Sequence, residues 1–562
     1  MKLAKIRLDI AVIAAYSALE LVFTWPLALR LTTHVIGFPN DNFEYIWKLW
    51  WTAHAVFERG VSPFVQPDIY YPFGYLLAYG DITPAHTFLL MPVTLLLGAT
   101  TTYNLIMLVS GPLSGWAMFR LARRWLARSG DGGEGALAAW AAFFAGAVFA
   151  LSAYRLFRTI GHLPLIDTHW LVIAVWGLDR WIESRRLRDA LLAAIGISMA
   201  ALGSWYYALM LLILLPVMLI AWVGDLRPLL QDRRTWVSAA VVAGVTAALC
   251  VPFMLPYREV GAQAGGALIV PLDDASFWAA SPLDYLLPNP RHPLWGAAIQ
   301  RAMWPLPGDP PGEFGAATLG LTTLLFAAWG WKRASGPRWR AIKWVGGVAL
   351  ILSFGPILHV GRLPLGIPLP AMLLRLLPLA DSVRSWGRFS IFVMLVASLL
   401  AAAGFRAGLA DIASHKRQMI AAALVTALAL FESYSTLDQL YEVGPRPVDA
   451  WLAAQPGDFA IMQYPLGEAL SGRQMLYTRY HGKKITFGYG TYLPLIYLKR
   501  HPELAAFPAD AALDRLVEWR VRYVLVGSRF AAEPIPQAAI DAQPRLKRIG
   551  EWDGIDVYEL AR

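Results

Sequence analysis

With 57% hydrophobic and only 16% charged residues, this 562-residue chain is too apolar for an ordinary soluble protein, which carries about 25% charged residues. The formal net charge of +10 does not indicate a nucleic-acid partner, because the basic residues lie in short loops between apolar runs. The single cysteine, Cys250, rules out an internal disulfide and a thiolate metal cluster.

Apolar runs of roughly 17–25 residues, the length that crosses a bilayer, recur along most of the chain. The first, near 8–31, is too long for a removable signal peptide and lacks a small-residue cleavage site, so it reads as a retained anchor. Lys2, Lys5 and Arg7 place the N-terminus in the cytoplasm. Further basic clusters mark inner loops: Arg123, Arg124 and Arg128; Arg185, Arg186 and Arg188; Arg227, Arg233 and Arg234; Lys332 through Lys343; and Arg406, Lys416 and Arg417. Spans near 8–31, 102–123, 136–153, 166–182, 190–203, 204–223, 236–256, 314–331, 344–358, 388–406 and 419–434 then alternate correctly, about eleven transmembrane helices. The run 84–99 is left over and must be re-entrant or interfacial. Arg155 and Arg158 fall on the outer side, against the charge pattern.

The threading gives a membrane domain over 1–434, with a first outer loop at 32–83 and a second at 257–313. Residues 435–562 follow on the outer face, less apolar and more charged. A helix is expected from 449–455 and another over 510–519. Strands are expected at 459–464, 521–526 and 552–560, which suffices for one small C-terminal α/β domain.

The first outer loop carries the densest chemistry. From Phe43, the residues Ile46, Trp47, Trp50, Ala53, His54 and Phe57 recur at helical spacing, as in an amphipathic helix lying in the membrane interface. Asp41 falls at its N-cap and Glu44 three residues on, a capping-box-like pair. The same Asp41, beside a membrane surface among aromatic residues, is a candidate general base. Asp81 and His86 either complete an acid–base set with it or hold a divalent cation with it; no spacing is diagnostic of metal. The turn holding His162 and Asp167 is a second polar outer site. Arg258, Arg291 with His292, and Arg384 with Arg388 lie at outer span ends. There they suit phosphate oxygens, or else snorkel or pair with Asp381. The chain has no P-loop, no G-x-G-x-x-G, no H-E-x-x-H and no D-x-D. The spans carry almost no charge, against an ion-coupled transporter.

Several segments together resemble a known superfamily. They are Asp41 followed by Trp47-Lys48-Leu49-Trp50-Trp51, then Tyr70-Tyr71-Pro72-Phe73-Gly74, Gly161-His162-Leu163 and Ser204-Trp205-Tyr206-Tyr207. After these come the stretch from Asp284 to Pro293 and Arg384-Ser385-Trp386-Gly387-Arg388-Phe389. In their order they resemble the GT-C superfamily of membrane glycosyltransferases, and more closely a bacterial group described as glycosyltransferase-like or YfhO-like. The resemblance implies a seven-span N-terminal module with an acidic first outer loop. It also implies a polyprenyl-phosphate-linked sugar as donor, used on the outer face of a bacterial inner membrane. The superfamily's first-loop acid, a catalytic base or metal ligand, matches Asp41; the doubled acidic pair of better-known branches appears only as Asp41 and Glu44.

The expectation is therefore an inverting transferase in which Asp41 deprotonates a hydroxyl of a glycan, lipid or protein acceptor. Glu44 and Asp81 are further catalytic candidates. His86, His162, Asp167, Tyr206, Tyr207, Arg258, His292, Arg384 and Arg388 are candidates for substrate binding, with arginines stabilising the leaving phosphate. A divalent cation remains open. The alternative is a non-enzymatic envelope protein that binds or transports a lipid-linked glycan.

Overall fold

The computed structural model describes residues 2–37, 41–128, 135–264, 269–303, 313–361, 363–377, 380–435, 439–466, 468–527 and 535–561. Each of the eleven apolar runs overlaps a helix: Lys2–Phe23, Ala99–Ala127, Ala136–Ala150, His169–Ser184, Leu187–Gly203, Trp205–Val223, Arg233–Ala264, Leu321–Arg333, Pro337–Ser353, Ser390–Leu409 and His415–Ser433, although the run 8–31 outlasts its helix and the run 314–331 begins before its own. Among the described residues, five helical stretches are long and apolar enough to cross a membrane: Ala99–Ala127, Ala136–Arg158, Trp205–Val223, Arg233–Ala262 and Trp386–Leu409. The leftover run forms two short helices, Pro84–Thr87 and Met91–Leu97. Seven residues rise only about 10 Å, far short of a bilayer.

The chain forms two compact units. The first comprises Met1–Ala28, Ile106–Pro252 and Gly266–Leu437; the second comprises Leu29–Leu105, Phe253–Gly265 and Asp438–Arg562. The division differs from the expected cut after 434, because the C-terminal part shares its unit with the first outer loop. Strand His34–Ile36 pairs antiparallel with Leu440–Glu442, and the first-loop helix Asp41–Phe57 packs on helix Glu468–His481.

In the first unit the tightest helix crossing uses glycine. A Cβ on Gly330 would stand 1.8 Å from the Leu400 carbonyl oxygen, and one on Gly404 would stand 1.9 Å from that of Phe326. Helices Leu321–Arg333 and Ser390–Leu409 therefore meet backbone to backbone, the contact small residues permit between membrane helices. Arg155 and Arg158 are buried rather than loop-exposed. Arg155 pairs with Glu20 at 2.9 Å and Arg158 with Glu313. Their conflict with the charge pattern disappears, since a paired, buried arginine does not report the side of a loop.

In the second unit a five-stranded mixed sheet has the order Leu546–Trp552, Ile555–Leu560, Val521–Gly527, Ala460–Tyr464, Lys484–Ile485. Val521–Gly527 runs parallel to Ala460–Tyr464 and antiparallel to Ile555–Leu560. The expected strands and helices near 449–464 and 510–526 are present within two residues. Residues 552–560 hold the end of one strand, a turn and a second strand, not one strand.

Candidate functional sites

In the second unit, helix Asp41–Phe57 is buried on nearly every side. It is not the half-exposed interfacial helix its spacing suggests. Trp47 donates from Nε1 to Thr478 Oγ1 at 3.1 Å, and Trp51 to the Pro63 carbonyl at 2.9 Å. The helix opens at Asp41 itself; residue 40, the position before it, lies outside the described residues. Glu44 is held inside the unit. Its Oε1 lies 2.6 Å from Lys48 Nζ and accepts the Tyr75 hydroxyl at 3.2 Å. Burial raises the Glu44 carboxyl above its ordinary pKa range; Lys48 opposes the shift and Asp41 adds to it. Expected as a catalytic candidate, Glu44 instead belongs to a buried ion pair and presents almost no surface to a substrate.

Lys48 also donates to the Asp81 carbonyl at 2.9 Å. Tyr257 closes the same segment: its hydroxyl accepts the Ile82 N–H at 3.0 Å and donates to the Gly80 carbonyl at 3.2 Å. Gly80 packs against the ion pair: a Cβ there would meet Glu44 Oε1 at 2.6 Å and Lys48 Nζ at 2.7 Å, so both side-chain ends would have to shift. Thr83 sits at φ 49°, a strained conformation for a β-branched residue, directly before Pro84. This network brings Asp41, Glu44 and Asp81 around Tyr45. Burial first, and then these three carboxylates, push the Tyr45 hydroxyl well above its ordinary pKa. Asp41 and Asp81 remain partly exposed, and Asp41 Oδ1 accepts the hydroxyl of Tyr489. His86 is buried on the short helix Pro84–Thr87. Among the described residues no three His, Cys, Asp or Glu side chains gather as a metal ligand set.

In the first unit a second cluster forms around His162. Arg158 and Arg388 share the carboxylate of Glu313, Arg388 Nε lying 3.5 Å from its Oε1. Gly387 allows this approach, since a Cβ there would stand 2.8 Å from Glu313 Cγ. The expected partner Asp381 is not the one used. The Arg388 guanidinium lies 4.2 Å over the Tyr206 ring, Arg384 4.7 Å over Trp278, and Arg291 4.6 Å over Phe157. Among the described residues Arg384 has no carboxylate partner. Burial, then Arg158, Arg388, Arg384 and Arg291, hold the His162 pKa well below its ordinary value, so its ring is neutral at pH 7. Tyr206 and Tyr207 are thus placed at the cluster. Tyr206 hydroxyl accepts the Ser385 N–H at 3.4 Å, and Tyr207 donates to the Leu165 carbonyl at 2.5 Å.

Other sequence candidates lie elsewhere. His292 stacks on Trp295 with ring centroids 3.4 Å apart and packs edge-on to Phe431, a structural setting. Asp167 is half-buried beside the start of helix His169–Ser184, and Arg258 is exposed on helix Arg233–Ala264, which places it in the second unit. Sequence reasoning missed Lys48, Tyr75, Tyr257, Tyr489, Arg158 and Glu313 as members of these clusters. Arg158 had been visible only as a violation of the charge pattern.

Solved structures share the fold. The chain is similar to the Archaeoglobus fulgidus oligosaccharyltransferase in the apo form, at 14% identity and TM-score 0.52, over 92% of this chain and 69% of that one. The complex of the same organism's oligosaccharyltransferase AglB with an inhibitory peptide and a dolichol-phosphate matches at 14% identity and TM-score 0.51, over 93% and 69%. The arabinofuranosyltransferase AftD from Mycobacteria matches at 17% identity and TM-score 0.57, over 99% of this chain but only 42% of that one. The chain shares the fold of these three solved structures. Within it, the chain belongs to the family described as "Domain of unknown function (DUF6311)", whose model matches residues 44–431. No curated protein matches the chain by sequence.

Proposed function

We propose that this protein is a membrane glycosyltransferase that moves a sugar from a polyprenyl-phosphate-linked donor to an acceptor hydroxyl on the outer face of the bacterial inner membrane. The observation that carries the reading is the cluster around His162. Arg158 and Arg388 share one carboxylate, Arg384 rests on a ring, and neutral His162 adds no charge. Planar guanidinia match phosphate oxygens two at a time. Arg158, Arg384 and Arg388 are the candidate ligands of the donor phosphate. They would stabilise charge on the leaving lipid phosphate as the sugar departs. Asp41, part-exposed at the start of a rigidly buried helix, is the candidate base for the acceptor hydroxyl, and Asp81 the next candidate. The mycobacterial and archaeal proteins of like fold, named as an arabinofuranosyltransferase and an oligosaccharyltransferase bound to dolichol-phosphate, agree in class.

The orientation is part of the proposal. Arg124, Arg128 and Arg338, drawn from two of the basic inner loops, converge on Asp179 and Glu183 at one end of helix His169–Ser184. His162 and Leu165 lie beyond its other end. That separation supports a path of about eleven spans, with an N-terminus inside and residues 435–562 outside. Alkaline phosphatase fused after residue 562 is expected to be active; an inactive fusion, with a cytoplasmic reporter active at the same site, contradicts the orientation.

The activity test uses protein purified into nanodiscs with a polyprenyl-phosphate sugar and glycan, lipid or peptide acceptors. The expected result is acceptor-dependent release of polyprenyl phosphate. Tight donor binding with no release under any acceptor would replace the transferase by a lipid-linked glycan carrier.

A further inference from the structure

The candidate base already holds a hydroxyl. Tyr489 donates its phenolic proton to Asp41 Oδ1. Tyr489 lies in a short segment of the C-terminal part that is pinned on both sides to the first outer loop. Ile485 N–H donates to the Asp68 carbonyl at 2.8 Å, and Tyr70 N–H to the Phe487 carbonyl at 3.2 Å. On the far side Tyr492 N–H donates to the Tyr79 carbonyl at 2.7 Å. Between the pins stand Gly488, Tyr489, Gly490 and Thr491. A Cβ on Gly488 would lie 2.6 Å from Tyr70 Cε2, and one on Gly490 would lie 3.2 Å from the Tyr79 carbonyl oxygen. The two residues flanking Tyr489 thus have no side chain, and the backbone lies directly on the first-loop tyrosines. Tyr489 and Gly490 are half-buried and Thr491 is exposed, so the segment forms an outer layer over Asp41.

We infer that residues 488–491 are a strap over the acceptor position, with the Tyr489 hydroxyl standing on Asp41 where an acceptor hydroxyl must stand. The acceptor enters by displacing it: one O–H to carboxylate hydrogen bond is exchanged for another, and no covalent bond changes. The phenol O–H and an acceptor O–H would each donate to the same carboxylate oxygen. The phenol therefore competes with the acceptor for Asp41. The bare glycines on either side give the strap the backbone freedom to lift while its pinned ends stay in register. Its acceptor half rests on Asp41 being the base of the proposed transferase.

The test is made on the full chain in nanodiscs and has two arms. Hydrogen exchange needs no turnover. Replacing Tyr489→Phe removes the charge-assisted bond and is expected to speed exchange in 488–491 by about tenfold. Exchange in the central strand Val521–Gly527 should not change, which controls for folding. Unchanged exchange in 488–491 would overturn the strap. In the kinetic arm, Tyr489→Phe is expected to lower the acceptor KM by several-fold while the donor KM stays put. A fall in kcat of about tenfold or more at constant acceptor KM would make Tyr489 a participant in proton transfer and overturn the displacement. If wild type turns over no donor at all, the transferase reading and the acceptor half fall together, while the exchange arm decides the strap by itself.

Discussion

At the end of the helical unit where Arg124, Arg128 and Arg338 meet, two carboxylates meet them. Asp179 lies 2.5 Å from Arg124 Nε and 2.9 Å from Arg338 Nε, and Glu183 lies 2.6 Å from Arg124 and 2.5 Å from Arg128. Beyond the other end of helix His169–Ser184, Arg158 and Arg388 divide the single carboxylate of Glu313, and Arg384 lies on an indole. The residue type is the same, but the charge balance differs. Where three arginines share two acids, they tie helix ends together. Where two arginines share one acid, their planar forks suit added phosphate oxygens. Arginine content alone says nothing about function; the local ratio of guanidinium to carboxylate does.

The comparison breaks first at its acids. Glu313→Gln removes the buried carboxylate that Arg158 and Arg388 share and is expected to cost about 3–5 kcal/mol. Polyprenyl phosphate should restore much of the lost thermal stability, because it occupies the same charge deficit. Asp179→Asn at the matched end, where the arginines are partly solvated, should cost about 1–3 kcal/mol, and polyprenyl phosphate should restore none of it. Melting temperatures of both variants, with and without the lipid, check the pair; equal rescue at both ends erases the distinction.

A smaller effect separates the forks themselves. Arg384→Lys or Arg388→Lys keeps the charge but loses the bidentate geometry, and at least one should weaken polyprenyl-phosphate binding by about tenfold, or about 1.4 kcal/mol. Arg338→Lys should leave the affinity unchanged. Binding isotherms in nanodiscs decide it.

The smallest effect is in pH. Burial, with Glu313 as a further contributor, raises the Asp284 carboxyl from its ordinary range to about 7. A raised acid binds more protons folded than unfolded, so its contribution to stability falls as pH rises through 7. Between pH 6 and 8 this amounts to roughly 1 kcal/mol. Asp284→Asn should flatten that part of the stability profile, and Asp179→Asn should leave it in place.

The helices were legible in the sequence because bilayer-length apolar runs leave little choice, and helix Asp41–Phe57 because its aromatic residues recur at helical spacing. Its burial was not legible. Asn42, Glu44 and Lys48 occupy the face that the pattern assigns to solvent, yet all are buried: Asn42 donates to the Ile36 carbonyl, Glu44 accepts from Tyr75, and Lys48 donates to the Asp81 carbonyl. The missed helix Glu468–His481 carries no apolar stripe, and its Thr478 instead takes a hydrogen bond from Trp47. Of the site, Asp41, His162, Arg384 and Arg388 could be named from position and chemistry. Glu313 and Tyr489 could not, since nothing local marks them and their partners are 75 or more residues distant. Long-range pairing of charges is written in the fold, and single-sequence periodicity does not record it.

The claim that this molecule transfers a sugar is tested most directly at Asp41. Replacing Asp41→Asn keeps a side chain that serves equally well at a helix start and removes the basicity. Acceptor-dependent release of polyprenyl phosphate, measured in nanodiscs beside the melting temperature, is expected to fall by at least about a hundredfold while the melting temperature stays near that of wild type. Near-normal release by Asp41→Asn would contradict the account and move the base to Asp81 or Asp167.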